Sequence, residues 1–250
     1  MPNFYFVDSN IIMGYCNPED TFHDVAIGFF NEKPSRQILL LFSIQEEYFR
    51  KIEDERTFFF NEIIRKIRTM DFPSLQSVIQ RAQSKPKYKN NNFIKYLLSL
   101  FNKKKITHVT YTILHEIFRE YSKNLREQFN NLTQNWIKKP HMKNHTTIFK
   151  DQIYLHYFNK LKSAKIHDLD AKHLALAAYE VRSRNRRNRY HQFYFYTNDK
   201  DWIRMGVDFN INIRNFNIIR IPYKKSARKG YNPFTNSFNI DKYEYLPDNL

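Results

Sequence analysis

Four acidic positions in this chain have the type and setting to hold a hard metal ion. Asp8 follows the aromatic and β-branched run Phe4-Tyr5-Phe6-Val7, and Glu46 or Glu47 lies in the first turn after a second apolar run, residues 37–42. Asp170 opens the segment Asp170-Ala171-Lys172-His173-Leu174-Ala175-Leu176-Ala177-Ala178, and Asp199 follows a third run, Phe193-Tyr194-Phe195-Tyr196. Taken singly, each reads as a helix cap, because a carboxylate at a helix amino terminus satisfies free N–H groups and the dipole. Taken together at one end of one sheet, four carboxylates repel one another unless a cation neutralises them. An all-oxygen set without cysteine selects Mg²⁺ or Mn²⁺, and an ion so held can activate water and polarise a phosphodiester. The two readings separate on neutralisation. Losing a cap lowers stability, whereas removing one of several clustered like charges raises it.

Helical phase narrows two of these positions. Asp170 shares a stripe with Leu174, Ala177 and Val181, which faces the sheet, while Asp168 is roughly opposite. Asp170 is therefore the expected ligand and Asp168 the expected N-cap. Glu47 shares a face with Ile44 and Tyr48, and Glu46 looks toward Phe49 and Arg50, so Glu47 is favoured over Glu46.

These residues need elements to position them. The runs at 4–7, 37–42, 193–196 and 217–221 predict four strands, each halted by a capping or turn residue, with helical spacing between them (Ile44, Tyr48, Ile52). Strands separated by helices predict an α/β protein with a mostly parallel central sheet, which binds ligands beyond the carboxyl ends of its strands. From 51 to 164 the pattern becomes helical, with Leu114, Phe118, Tyr121, Leu125, Leu132 and Trp136 on one stripe. That stretch is expected to be a helical insertion, with 1–50 and 165–222 forming the α/β domain and 223–250 an aperiodic tail.

Charge describes the partner. With 41 Lys and Arg against 25 Asp and Glu, the 250-residue chain carries +16. The cations are gathered: no acidic residue occurs from Phe72 to His115, a span holding Lys103, Lys104 and Lys105, and a second cluster comprises Arg182, Arg184, Arg186, Arg187 and Arg189. Gathered cation implies a phosphate backbone, and guanidinium forks match its oxygens. Aromatics among the lysines, Tyr88, Phe93 and Tyr96, are expected to stack on unpaired bases, which favours single-stranded RNA.

Other chemistries are excluded or weak. Four glycines build neither of the Gly-rich phosphate loops, and one cysteine, Cys16, removes disulfide frameworks and thiolate zinc sites and suits a reducing cytoplasm. Cys16 reads as a small buried apolar residue. His108, His115, His141 and His145 lack the arrangement of a zinc site, His173 reads as a packed helix residue, and no serine or cysteine nucleophile has a recognisable partner. No apolar stretch approaches a membrane span, so a cytoplasmic protein is expected.

The ordered motifs Phe-Val-Asp8-Ser9-Asn10-Ile-Ile, Ser43-Ile-Gln-Glu46-Glu47-Tyr-Phe, Asp170-Ala-Lys-His-Leu-Ala-Leu-Ala and Tyr-Thr197-Asn-Asp199-Lys-Asp201-Trp202 make the chain similar to the PIN-domain family of metal-dependent nucleases. The resemblance implies a three-layer PIN-like fold and an acidic quartet of Asp8, Glu47, Asp170 and Asp199 holding Mg²⁺ or Mn²⁺. Asp201 would be an accessory ligand or a cap. Asn10, Thr197 and the neighbouring Glu46 would stand behind the ligands. The implied activity is endoribonuclease cleavage, with a non-catalytic RNA-binding or scaffold role as the alternative. The implied partners are RNA and, as in toxin-antitoxin pairs that share this fold, an antitoxin or another protein. The oligomeric state, a homodimer included, stays open.

Overall fold

The computed structural model describes residues 3–33, 37–65, 79, 91–103, 111–138, 145–185, 191–197 and 215–221. Its centre is strand β1, Asn3–Val7, the expected first run. Strands β2 (Ile38–Leu39), β3 (Ile137–Lys138), β4 (Gln192–Thr197) and β5 (Phe216–Arg220) complete a five-stranded sheet in the order β3-β2-β1-β4-β5. All four pairings are parallel, with Tyr5 opposite Ile38 and Tyr194, and Tyr194 opposite Asn217. Tyr5, Phe6 and Val7 point alternately to the two faces and all are buried, so both faces of β1 are covered near its end, as an interior parallel strand requires. Aromatic pairs lock the register of β1 against β4: Phe4 stacks on Phe193 at 5.5 Å, Tyr5 on Tyr194 at 5.7 Å and Phe6 on Phe195 at 6.1 Å.

The chain runs outward from β1 through β2 to β3, then returns to β1's other side for β4 and β5. The order thus reverses between β1 and β4, and the crevice at their carboxyl ends is the switch point where parallel sheets accept ligands.

The helices are α1 (Ser9–Cys16), α2 (His23–Glu32), α3 (Phe42–Phe58), α4 (Asn92–Asn102), α5 (Tyr111–Asn135), α6 (His145–Ile148), α7 (Gln152–Ser163) and α8 (Asp168–Asn185). Three expectations are corrected. The second strand is shorter than 37–42: it pairs only at Ile38 and Leu39, and α3 begins at Phe42, so Ser43 lies inside the helix's first turn rather than stopping a strand. Leu40 and Leu41 are buried all the same, because the link from strand to helix crosses the core. Asp168 is not an N-cap but the first residue of α8. Its exposed carboxylate pairs with Lys162, whose hydrogen bond and charge lower its pKa. The stretch 51–164 is also more than helical. The position 50/51 falls within α3, and this stretch supplies edge strand β3 as well as α5, whose Leu114, Phe118, Tyr121, Leu125 and Leu132 are buried in one continuous core with β1 and α3. Tyr48 of α3 stacks on Phe129 of α5 at 4.8 Å and donates its hydroxyl to the Leu125 carbonyl at 2.9 Å.

The turn between α1 and α2 folds them closely, and Gly14 is where they meet. A Cβ there would stand 3.1 Å from the Phe22 ring and 3.3 Å from the Ala26 Cβ. Because both neighbours are buried and packed, Gly14→Ala is expected to cost about 1–3 kcal/mol in chemical denaturation despite alanine's better helix propensity. A more stable variant would show that the two helices can separate freely. Among the described residues no helix is long and apolar enough to cross a membrane.

Candidate active site at the carboxyl ends of β1 and β4

Asp8 sits one residue past β1, in the extended backbone between strand and helix, and its N–H donates to the Tyr196 carbonyl of β4 at 3.0 Å. Its side chain is 4% exposed and makes no cap to α1. The capping reading thus fails at Asp8. Instead three side chains donate to it: Ser9 Oγ to Oδ1 at 3.2 Å, Asn10 Nδ2 to Oδ2 at 3.3 Å and Thr197 Oγ1 to Oδ2 at 2.8 Å. Thr197 ends β4, so the two strands flanking the switch point meet in one carboxylate. Burial raises the Asp8 pKa and Glu47 adds to it, against the lowering effects of Lys51, the Thr197 hydroxyl and His173.

Glu47 reaches the same place from α3. Lys51, one turn further along that helix, donates to Glu47 Oε1 at 3.1 Å, to Ser9 Oγ at 2.8 Å and to Asn10 Oδ1 at 2.6 Å. One ammonium therefore ties Glu47 to two of the three residues that hold Asp8. His173 of α8, 1% exposed, contacts Glu47 Oε2 through Nε2 at 2.7 Å and Ser43 Oγ through Nδ1 at 2.7 Å. Nε2–H donates to the carboxylate, and Nδ1 is hydrogen-bonded to the Ser43 hydroxyl, so both ring nitrogens are held. Burial pushes Glu47 upward, but the His173 hydrogen bond and the Lys51 charge overcome it and bring the pKa down to about 2. Glu46, by contrast, is exposed and pairs with Lys172 at 3.2 Å. Of the doublet, Glu47 faces Asp8.

Asp170 is partly buried in the first turn of α8, three residues before His173 and so on the same face, while Leu174, Ala177 and Val181 further along that stripe are fully buried. Asp199 and Asp201 lie outside the described residues. Among the described residues no three His, Cys, Asp or Glu side chains come together as a metal-binding group. Asp8 and Glu47 share a network through Ser9, Asn10 and Lys51.

The basic residues fall elsewhere. Arg182 and Arg184 lie near the end of α8, about 18 and 21 Å along the helix axis from Asp170. Arg184 pairs with Glu180 and lies over the Phe4 ring at 5.3 Å, and Arg182 donates to the Tyr157 hydroxyl at 3.3 Å. Arg184 thus lies toward the amino end of β1, away from Asp8 at its carboxyl end. Arg186, Arg187, Arg189, Lys104 and Lys105 lie outside the described residues, and Lys103 is exposed in the turn after α4. The aromatic expectation is corrected at Phe93: it is fully buried against Phe59 and Phe118, with ring centroids 4.8 Å apart in each pair, and is core rather than a stacking platform. Tyr96 packs on Tyr121 at 5.1 Å, and Tyr88 is outside the described residues. His115 stacks on Phe60 at 4.0 Å, which accounts for it without a metal. Burial pushes the Cys16 thiol up to about 12, in keeping with a small apolar residue.

Three members of this network were not singled out by type and spacing. Ser43 and His173 form a hydrogen-bonded pair, 130 positions apart along the chain. Lys51 stands four residues after Glu47, a helical ion-pair spacing that was readable but that occurs on many solvent-facing helices. One further turn along α3, Glu55 accepts from the Tyr121 hydroxyl at 2.9 Å and from the Asn92 N–H at 3.3 Å. Burial raises its carboxyl to about 7 in spite of these donors. The folded state therefore holds this proton more tightly than the unfolded chain. The associated stability is complete below the ordinary pKa of 4.5 and is lost as pH rises through about 7. Thermal unfolding from pH 5 to 8 should show the wild type losing about 2 kcal/mol relative to Glu55→Gln, which keeps the neutral form throughout. Parallel profiles for the two proteins would refute this.

The chain matches no protein-family model, no curated protein and no solved structure.

Proposed function

We propose that the chain is a divalent-metal-dependent endoribonuclease with a three-layer PIN-like fold, acting on RNA at the carboxyl ends of β1 and β4. The observation that carries this reading is Asp8: a nearly buried carboxylate at the topological switch point, held by Ser9, Asn10 and Thr197 and facing Glu47 across one cation. Burying the Asp8 carboxylate beside a second acid is costly unless something offsets it, and carboxylates with perturbed pKa values concentrate at sites of chemistry. Asp8 and Glu47 would hold Mg²⁺ or Mn²⁺, with Asp170, Asp199 and Asp201 as the further acidic candidates. When bound, the ion would supply a water nucleophile at neutral pH and neutralise charge at phosphorus.

The protein's own residues do the remaining work. Ser9, Asn10 and Thr197 hold the Asp8 carboxylate in one orientation, and Ser43 through His173 does the same for Glu47. Lys51 places a cation beside them, suited to a phosphate oxygen as well as to the carboxylates. The excess positive charge of the chain draws the RNA in and makes binding salt-dependent. An antitoxin or other protein partner, and a homodimer, belong to the same reading.

One observation favours the alternative of a non-catalytic RNA-binding or scaffold protein: both Glu47 oxygens already have partners in Lys51 and His173. Calorimetric titration with MgCl₂ and MnCl₂ separates the two. Binding that disappears in Asp8→Asn supports the nuclease, and absence of binding at millimolar ion supports the scaffold.

A further inference from the structure

Glu47, Lys51 and Glu55 stand four residues apart and form one stripe along α3. The first two belong to the site above. The third opens a different question, because a cavity of about 700 Å³ runs beside this stripe from Asn10 and Lys51 to Asp20, Glu55 and Asn92. Met13 and Phe58 contribute apolar surface to it. Its volume accommodates one nucleotide.

The two ends of the cavity differ in hydrogen-bonding character. At the Asp8 end stands the Lys51 ammonium. At the far end the wall is rich in acceptors, and their positions are fixed by the protein's own bonds. Asn92 Nδ2 donates to Asp20 Oδ2 at 2.9 Å, the Phe22 N–H donates to Asp20 Oδ1 at 2.8 Å, and the Asn92 N–H and the buried Tyr121 hydroxyl hold Glu55. Each oxygen of an ionised carboxylate has two lone pairs, so Asp20 retains acceptor capacity after these bonds. Lys95, which donates to Asn92 Oδ1 at 3.4 Å, also lines this end, but the carboxylate oxygens of Asp20 and Glu55 beside it favour a ligand whose edge carries N–H donors. Among the four RNA bases, guanine alone offers an imino N–H and an amino group side by side, which one carboxylate can accept together. Uracil flanks its single imino N–H with two carbonyl oxygens, which such a wall repels.

The geometry points to a guanine-nucleotide subsite in this cavity, with the phosphate at Lys51 beside Asp8 and the base directed toward Asp20 and Asn92. Its place next to a scissile phosphate rests on the nuclease reading above; its capacity to bind a nucleotide does not. Under both readings together, cleavage falls beside guanosine in single-stranded RNA.

The test uses the full chain and the four nucleoside 5′-monophosphates, titrated by calorimetry. Guanosine monophosphate is expected to bind at least about tenfold more tightly than uridine monophosphate, the discrimination of one bidentate pair. Asp20→Asn, which keeps an oxygen for the Phe22 N–H, should erase most of that preference. Thr21 is exposed on the cavity rim, so Thr21→Trp blocks the cavity without entering the core and should lower binding of guanosine monophosphate by about tenfold with an unchanged melting temperature. Equal affinity for all four nucleotides, or binding of guanosine monophosphate that ignores both variants, overturns the subsite. Cleavage mapping on a single-stranded RNA with MgCl₂ distinguishes the two readings. Guanosine monophosphate binding that Thr21→Trp blocks, in a protein that cuts no RNA, sinks the nuclease and keeps the subsite. Cutting without regard to base, equally by wild type and Thr21→Trp, keeps the nuclease and sinks the subsite.

Discussion

On the nuclease reading proposed above, Asp8→Asn is expected to fold as the wild type does and to cut single-stranded RNA about a thousandfold more slowly in MgCl₂. The size follows from the several kcal/mol of charge stabilisation that a metal loses with a ligand, each 1.36 kcal/mol being tenfold in rate. The variant keeps the shape of the side chain, and its carbonyl oxygen still accepts the Thr197 hydroxyl, which donates at 2.8 Å in the wild type. It removes a charge whose burial is unfavourable, as the raised pKa of Asp8 reflects. Its melting temperature should therefore equal or exceed that of the wild type without divalent ion, and its stabilisation by added MgCl₂ should vanish. A purely structural carboxylate behaves in the opposite way on both counts. Asp8→Asn that is clearly less stable, or that cuts at the wild-type rate, would remove Asp8 from the chemistry.

Lys51→Ala is the complementary experiment, because it takes away the cation and leaves the acids. In the wild type the Lys51 ammonium lies within 3.1 Å of Glu47 and 2.8 Å of Ser9 Oγ, which itself donates to Asp8. Without it, Asp8 and Glu47 repel across a largely buried gap, and about 2–4 kcal/mol of stability should be lost in EDTA, somewhat under the cost of breaking a fully buried pair because Lys51 is partly exposed. A divalent ion should restore what the ammonium supplied. Ion at a hundredfold its dissociation constant adds about 2.7 kcal/mol, so MgCl₂ is expected to rescue Lys51→Ala and to stabilise it more than it stabilises the wild type. Denaturation midpoints with and without MgCl₂ measure this directly. If the variant loses stability that no divalent ion recovers, Lys51 is a structural counter-ion and the site is not a metal site.

His173 illustrates how a residue of unremarkable sequence context acquires a role. On α8 it falls among Leu174, Ala175, Leu176 and Ala177, and a packed helix histidine is what that context suggests. It is packed, but between Ser43 and Glu47, 130 and 126 positions away along the chain. No local pattern carries a partnership of that range. The arginine cluster shows the converse. Five arginines within eight residues are conspicuous in sequence, yet Arg182 and Arg184 sit at the opposite end of α8 from Asp170 and already have partners in Tyr157, Glu180 and Phe4. Charge density along a chain does not state which edge of the sheet it reaches. Phe93 failed as a stacking residue for a similar reason: aromatic spacing suits core and surface equally, and only the helices packed around it decide.

Local physics was enough for the strands at 3–7, 192–197 and 216–220, for the helix following Asp8, and for the buried stripe of α5. Each depends on short-range periodicity and on the limited conformations available to β-branched, aromatic and capping residues. The same periodicity placed Asp8 at a strand end and favoured Glu47 over Glu46, because the period of a strand or helix dictates which side chains share a face. Tertiary structure alone decided that β1 is central, that Asp8 and Thr197 flank the reversal of strand order, that Lys51 reaches Ser9 and Asn10, and that His173 reaches Glu47. These are contacts between segments more than thirty residues apart, selected by how the apolar faces of the helices pack on both sides of β1 rather than by anything encoded near each residue.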